Sequence, residues 1–154
     1  MDHALDLKLL NVKPLTAENV NEIVYLQQKS NFSDGWTEKM LVDGFIKGGL
    51  KAFGVYFNGT NLVAFVTYSF CDVDVEIQDI LVDKEFRKKG IATYILNELY
   101  KILKDFEVKN IFLEVREGNK SAKHLYIKNG FTLINTRKKY YSNGENALIL
   151  QKIL

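Results

Sequence analysis

A mixed α/β domain around one central sheet, in the order β-α-α-β-β-β-α-β-α-β-β, is the fold class this sequence predicts. Three observations carry that reading. Short runs rich in Val, Ile, Phe and Tyr recur along the chain and are separated by turns such as Asn58-Gly59 and Asn143-Gly144. Other stretches repeat apolar residues at helical spacing, the longest through Ile91, Ile95, Leu99, Ile102 and Phe106. The segment Val75 to Phe131 reads as strand, basic glycine-containing turn, helix, strand, asparagine, short helix and glycine stop. A chain of 154 residues suits one core, so a single domain over 1–154 is expected.

Each element has its own signal. Leu7 to Leu15, with Pro14 near its end, predicts the first strand. Thr16 is a candidate cap for a helix from Ala17 to about Gln28, with Val20, Ile23, Val24 and Gln27 along one side. Ser30 to Gly35 reads as a polar loop interrupted by Phe32. After Thr37 the spacing of Met40, Leu41, Phe45 and Ile46 predicts a second helix, which Gly48-Gly49 ends. Leu50 to Phe57 and Leu62 to Phe70 predict a hairpin turning at Asn58-Gly59-Thr60-Asn61. Val75 to Val82 is the next strand, followed by the amphipathic helix that starts near Ile91. Asn110 to Val115 alternates as a strand, and Ser121 to Asn129 is a short helix closed by Gly130. Phe131 to Tyr140 and Glu145 to Ile153 predict two last strands joined by Ser142-Asn143-Gly144. The chain contains no internal repeat, linker or low-complexity segment.

Composition narrows the function. Hydrophobic content of 47% and charged content of 26% are ordinary for a globular protein. A net charge of +2 is too small to imply a nucleic-acid partner, and the positive residues gather instead at 87–89, 101–109 and 137–139. No apolar run approaches the ~18 residues of a membrane span, so no membrane partner is expected. Met1-Asp2-His3 begins no signal pattern. The single cysteine, Cys71, forms no internal disulfide, which fits a reducing cytoplasm, and its apolar surroundings suggest a buried strand residue rather than a nucleophile. One cysteine and two scattered histidines make no zinc-type cluster, so no metal is expected. His124 reads as a solvent-facing residue, and His3 lies near the terminus.

The chemistry concentrates at Arg87-Lys88-Lys89-Gly90-Ile91-Ala92-Thr93. A turn that follows a strand and opens a helix offers several backbone N–H groups and the positive end of the helix dipole to one anion. Three cations beside it favour a phosphorylated cofactor. A basic surface turn before a helix is the plainer alternative.

This pattern resembles the Gln/Arg-x-x-Gly-x-Gly/Ala turn with which the GNAT acyltransferase superfamily binds acetyl-coenzyme A. The resemblance implies a GNAT-like sheet. It also implies that Gly90 lets the backbone approach the pyrophosphate and that Ala92 is small enough not to block it. Backbone amides of Ile80, Leu81 and Val82 would then hold the pantetheine like an added strand. Farther on, Leu113-Glu114-Val115-Arg116, Asn119, Ala122, Leu125-Tyr126, Gly130-Phe131 and Tyr140-Tyr141 resemble the RimI-type alanine N-terminal acetyltransferases of ribosomal proteins. Phe32 with Trp36-Thr37-Glu38-Lys39 is similar to that family's aromatic segment before the second helix. Two departures stand out: Gly35 where the family usually has proline, and Asn146 where it commonly has aspartate.

The resemblance implies Glu114 as base and Tyr126 as acid. An α-amine, with an ordinary pKa near ~8, must lose a proton before it attacks a thioester. A carboxylate takes that proton, and a phenol supplies one to the departing thiolate. Glu114 alternates with Ile111, Leu113 and Val115, so a solvent-facing residue is its alternative, and Tyr126 has a packing alternative. Glu76 on the preceding strand is the competing base, or else a substrate-binding residue. Asn119 both caps its helix and, in the family, bonds the pantetheine arm. Trp36 and Tyr141 are candidate walls of a peptide groove, with a core role equally open for Trp36. The implied activity is N-terminal acetylation of a ribosomal protein in the cytoplasm, by direct attack of the amine on acetyl-coenzyme A. The rivals are a GNAT enzyme for a lysine side chain, polyamine or aminosugar, and a coenzyme A binding module without catalysis.

Overall fold

The structure is a computed structural model that describes residues 5–32 and 34–154. Met1-Asp2-His3 and Ser33 therefore lie outside the described residues. Its elements are β1 (Leu10–Pro14), α1 (Val20–Lys29), α2 (Glu38–Ile46), β2 (Lys51–Phe57), β3 (Asn61–Cys71), β4 (Asp74–Val82), α3 (Ile91–Leu103), β5 (Asn110–Arg116), α4 (Lys120–Lys128), β6 (Thr132–Arg137) and β7 (Ala147–Ile153). This is the predicted order. Seven strands hydrogen-bond in the sequence β1-β2-β3-β4-β5-β7-β6. The β4–β5 pair is parallel, and β1–β2, β2–β3, β5–β7 and β6–β7 are antiparallel, so the sheet is mixed. The chain divides into two compact units. One runs to Ser69 and resumes over Asp79–Glu98, and the other comprises Phe70–Gln78 and Leu99–Leu154.

In the first unit, Thr16 and Asn19 cap reciprocally. The Thr16 hydroxyl accepts from the Glu18 N–H at 3.2 Å, and Asn19 Oδ1 accepts from the Thr16 N–H at 2.9 Å. The cap opens a 3-10 turn, Ala17–Asn19, that runs into α1. Thr37 caps α2 by accepting from the Met40 N–H at 3.2 Å. Leu15, Val20, Ile23, Leu26, Leu41, Leu50, Phe65 and Leu81 form one apolar cluster here. Two expectations need correction. The stretch Leu7–Leu9 is a 3-10 turn, because Asp6 Oδ1 accepts from the Lys8 N–H at 3.0 Å; the strand begins only at Leu10. On α2, Leu41 is buried, but Met40 and Ile46 are 47% and 65% exposed. Adjacent helical positions stand ~100° apart, so Leu41 and Phe45, one turn apart, take the core and leave Met40 and Ile46 outside. The hairpin closes at Phe57↔Asn61, with Asn58 and Gly59 both left-handed (φ 53° and 82°).

In the second unit, β5 alternates as expected: Ile111, Leu113 and Val115 are buried, while Phe112, Glu114 and Arg116 are half-buried on the other face. Asn119 caps α4, its Oδ1 accepting from the Ala122 N–H at 3.2 Å. Phe106 is not on the α3 stripe, which stops at Leu103; it is 54% exposed and its ring meets Phe70 at 5.0 Å. Cys71 is exposed rather than buried. On the β2 side, pairing ends at Lys51, opposite Tyr68, so Cys71 has no β2 residue beside it although it is still part of β3. β6 stops at Arg137, before Lys139 turns left-handed (φ 53°), and β7 starts at Ala147.

Candidate active-site elements

The basic glycine turn, Arg87 to Thr93, belongs to the first unit. Tyr94 N–H donates to the Gly90 carbonyl at 3.0 Å, so Gly90 is the last residue before α3. The N–H groups of the first helical turn, here Ile91, Ala92 and Thr93, find no acceptor inside their own helix. Gly90 has φ 84°, and no atom lies within 4 Å of where a Cβ on it would stand. The glycine is thus required by the backbone angle, and the space beside it is open, which fits an approaching phosphate. Lys88 is also left-handed (φ 61°). Arg87 does more than supply charge: its Nε donates to the Val82 carbonyl at 3.0 Å and ties the turn to the end of β4. Ile80 and Val82 are half-buried and Leu81 is in the core. All three lie past Ile77↔Leu113, the last residue pair of the β4–β5 ladder.

Asp83, which the sequence reading passed over, anchors this turn. It is fully buried, and its carboxylate meets Lys29 Nζ at 2.8 Å and the Glu85 N–H at 3.0 Å. Its own N–H donates to the Val63 carbonyl at 2.7 Å. Burial pushes the Asp83 carboxyl up, but the Lys29 hydrogen bond, the Glu85 N–H and the charges of Lys29 and Lys84 outweigh it and hold it below the usual range. Asp79 is the opposite case. It continues the row Val75, Ile77, Leu81 that faces the core, and its N–H donates to Thr67 Oγ1 at 3.1 Å. Burial, with the Asp34 charge adding to it, pushes its carboxyl up to about 7.

Trp36 has the core packing that was one of its two readings, and it also lines a cavity, which Tyr141 does not. The tryptophan packs against the α1–α2 apolar cluster and borders a cavity of about 410 Å³ with Val24, Gln27, Gln28, Asn31, Phe32 and Gly35. Gln27, buried on α1, shapes this loop: its Nε2 donates to the Trp36 carbonyl at 3.0 Å and its own carbonyl accepts from the Phe32 N–H at 2.9 Å. A Cβ on Gly35 would fall 1.8 Å from Gln27 Oε1, so the family's proline has no room here. Gly35→Ala is therefore expected to displace Gln27 and cost about 1–3 kcal/mol in urea unfolding. Unchanged stability would mean that Gln27 moves aside freely.

The second unit holds the proposed acid and base. Glu114 is half-buried on β5, and its Oε1 lies 3.4 Å from Arg137 Nη1. Glu76 is exposed on β4 opposite Phe112, which places it on the same face as Glu114, two residues back. Tyr126 is 8% exposed on α4, and its ring meets the Phe131 ring edge-on at 5.6 Å. Tyr141 is half-buried, with the Arg116 guanidinium 3.8 Å over its ring. Arg116 also bonds Glu145 at 2.9 Å. The Asn146 departure has a physical reason: its Nδ2 donates to Glu117 Oε2 at 2.8 Å while its Oδ1 accepts from the Lys139 N–H at 2.9 Å. An aspartate would set two carboxylates together. His124 is exposed, and among the described residues no group of three or more His, Cys, Asp or Glu is placed to hold a metal.

Fold and turn together define an acyltransferase, and comparison with known proteins agrees. Residues 19–131 match the acetyltransferase (GNAT) family model, so the chain belongs to that family and is an N-acetyltransferase of the GNAT type. A putative [ribosomal protein bS18]-alanine N-acetyltransferase of Bacillus subtilis is 26% identical over 140 residues, 90% of this chain and 92% of that protein. An N-alpha-acetyltransferase of Saccharolobus solfataricus is 39% identical over 79 residues; that match spans 51% of this chain and about half, 47%, of the relative. In shape, the ribosomal-protein-S18-alanine N-acetyltransferase of Escherichia coli superposes with a TM-score of 0.85 at 24% identity, over 94% of this chain and 93% of the other, a likeness of fold. No helix among the described residues is long and apolar enough to cross a membrane.

Proposed function

We propose that this chain works as one acetyltransferase domain that acetylates the α-amino group of a ribosomal protein in the cytoplasm, with acetyl-coenzyme A as donor. The observation that carries the reading is the pairing of a half-buried Glu114 on β5 with a buried Tyr126 on α4, each on the element where its family motif lies. The match over 90% of the chain to a relative named for ribosomal protein bS18 alanine supports the acceptor. The family model runs through both units, and β4 contributes residues to each, which supports a single working domain.

In this reading the turn Arg87 to Thr93 holds the pyrophosphate, and the Ile80 to Val82 amides hold the pantetheine with help from Asn119. Glu114 takes a proton from the acceptor ammonium. The free amine attacks the thioester carbon, the C–N bond forms, the C–S bond breaks, and Tyr126 delivers a proton to the leaving sulfur. No acyl-enzyme forms. Trp36, Glu76 and Tyr141 contact the acceptor. Incubation with a panel of alanine-starting peptides, lysine-containing peptides with blocked N-termini, polyamines and aminosugars tests the acceptor class. Acetylation of the free-N-terminal peptides alone is the expected result, and preference for a polyamine or aminosugar would overturn it. The cofactor placement has its own test. Gly90→Val forces a β-branched residue to φ 84° and fills the open space beside the turn. Acetyl-coenzyme A affinity should fall sharply in a protein that still melts as a folded domain; unchanged affinity would refute the placement.

A further inference from the structure

Two arginines in the second unit are arranged alike. Arg116 lies between Glu145, at 2.9 Å, and the Tyr141 ring, at 3.8 Å. Arg137 lies between Glu114, at 3.4 Å, and the Tyr140 ring, at 5.4 Å. The first pair folds the β6–β7 connection onto the end of β5. The second touches the carboxylate to which the proposed reaction assigns the amine's proton.

The register explains how Arg137 reaches it. Arg116, Ala147 and Arg137 stand opposite one another across β5, β7 and β6, and Glu114, Ile149 and Asn135 form the next row. Directly opposed residues share a face of the sheet. Arg137 must therefore pass diagonally over β7 to meet Glu114. The residue it crosses beside is Ala147, wholly buried and with the smallest side chain that leaves the strand intact. A larger residue there would stand in the path. The contact is made at Oε1, and a carboxylate has a second oxygen with which to meet an ammonium. Other charged groups on this face are Arg116, held by Glu145, and, on β4, Glu76 and Asp74, the latter bonded by Asn110 at 2.9 Å.

We propose that Arg137 is a positioning residue for acetyl transfer: it fixes the Glu114 carboxylate by one oxygen so that the other meets the acceptor amine. The inference rests on the proposed role of Glu114 as base. The side chain of Arg137 is half-exposed on a sheet-edge strand, so its replacement leaves the core untouched. Its contribution appears in the rate of the chemical step rather than in donor binding.

A double-mutant cycle tests this, using purified full-length protein, acetyl-coenzyme A and an alanine-starting peptide. Arg137→Met should lower kcat by about 3- to 30-fold, with the KM for acetyl-coenzyme A and the melting temperature unchanged. Arg137→Lys, which keeps the charge, should recover part of the rate. Lys138→Gln, which removes a neighbouring exposed charge, should leave kcat alone. In a Glu114→Gln background, Arg137→Met should have no further effect. If instead Arg137→Met costs the same factor in both backgrounds, or Lys138→Gln matches it, the positioning role is overturned while Glu114 keeps its own. Full activity in Glu114→Gln would overturn the base assignment and the positioning role with it.

Discussion

Tyr126→Phe should lower kcat by about 10- to 10⁴-fold while the fold and the acetyl-coenzyme A affinity survive. The ring and backbone contacts of Tyr126 are ones that phenylalanine keeps. The Tyr126 ring packs edge-on against Phe131, a contact that phenylalanine keeps. The end of α4 is held by backbone bonds: the Tyr126 carbonyl accepts from the Phe131 N–H at 3.0 Å and from the Asn129 N–H at 3.1 Å. Neither depends on the phenol. What is lost is one hydroxyl, to which the proposed reaction assigns the proton for the departing thiolate. A normal kcat, under conditions where chemistry limits the rate, would reduce Tyr126 to a packing residue.

Asp79→Asn is expected to stabilise the protein at neutral pH and above, with little effect near pH 4. The folded carboxyl is pushed up to about 7 from an ordinary 3.8, by burial first and by the Asp34 charge second. Between those values the unfolded chain gives up the proton while the folded one keeps it. Stability supplied by the protonated group is therefore whole below the lower value and is lost as pH rises through the upper one. The total is on the order of 2–4 kcal/mol, since each pKa unit corresponds to ~1.4 kcal/mol and the group is partly solvated. Asparagine keeps the shape and cannot ionise. Urea unfolding at several pH values should find the variant's advantage growing from pH 4 to pH 7.5. A constant difference between the two proteins would contradict the raised carboxyl.

Asp79 also marks where reading the sequence stops. Its row partners Val75, Ile77 and Leu81 are apolar, and alternation alone puts it on the core side, yet an aspartate at that spacing looks like a surface residue. Only the packing of β4 against its neighbours reveals a carboxyl largely withdrawn from water. Asp83, two residues past Leu81, is also buried but is paired, and its partner Lys29 lies 54 residues earlier in the chain. Local signals were more legible. The caps at Thr16 and Asn119, the Asn58-Gly59 hairpin and the β5 alternation depend on neighbours within four residues, and all formed as expected. The misses share a cause. Phe106 continues a helical spacing past a helix that stops at Leu103, and Cys71 continues an apolar run past the last residue of β3 that pairs with β2. In each, tertiary limits cut a pattern that the sequence carries on. The glycine turn before α3 and the motif residues were visible from the chain. The brace from Arg87 to Val82, the Gln27 packing that demands Gly35, and the reach of Arg137 over Ala147 were not, because each joins residues through a specific register or loop geometry.

The central claim is that a ribosomal protein's α-amine receives the acetyl group. Mass spectrometry of protein N-termini, in cells with and without this chain, tests it most directly. Loss of acetylation from the N-terminal alanine of a ribosomal protein, restored by the wild-type chain and not by Tyr126→Phe, is the predicted result. Ribosomal N-termini that are equally acetylated in both cells, with acetylation lost instead from a lysine side chain or a small amine, would contradict it.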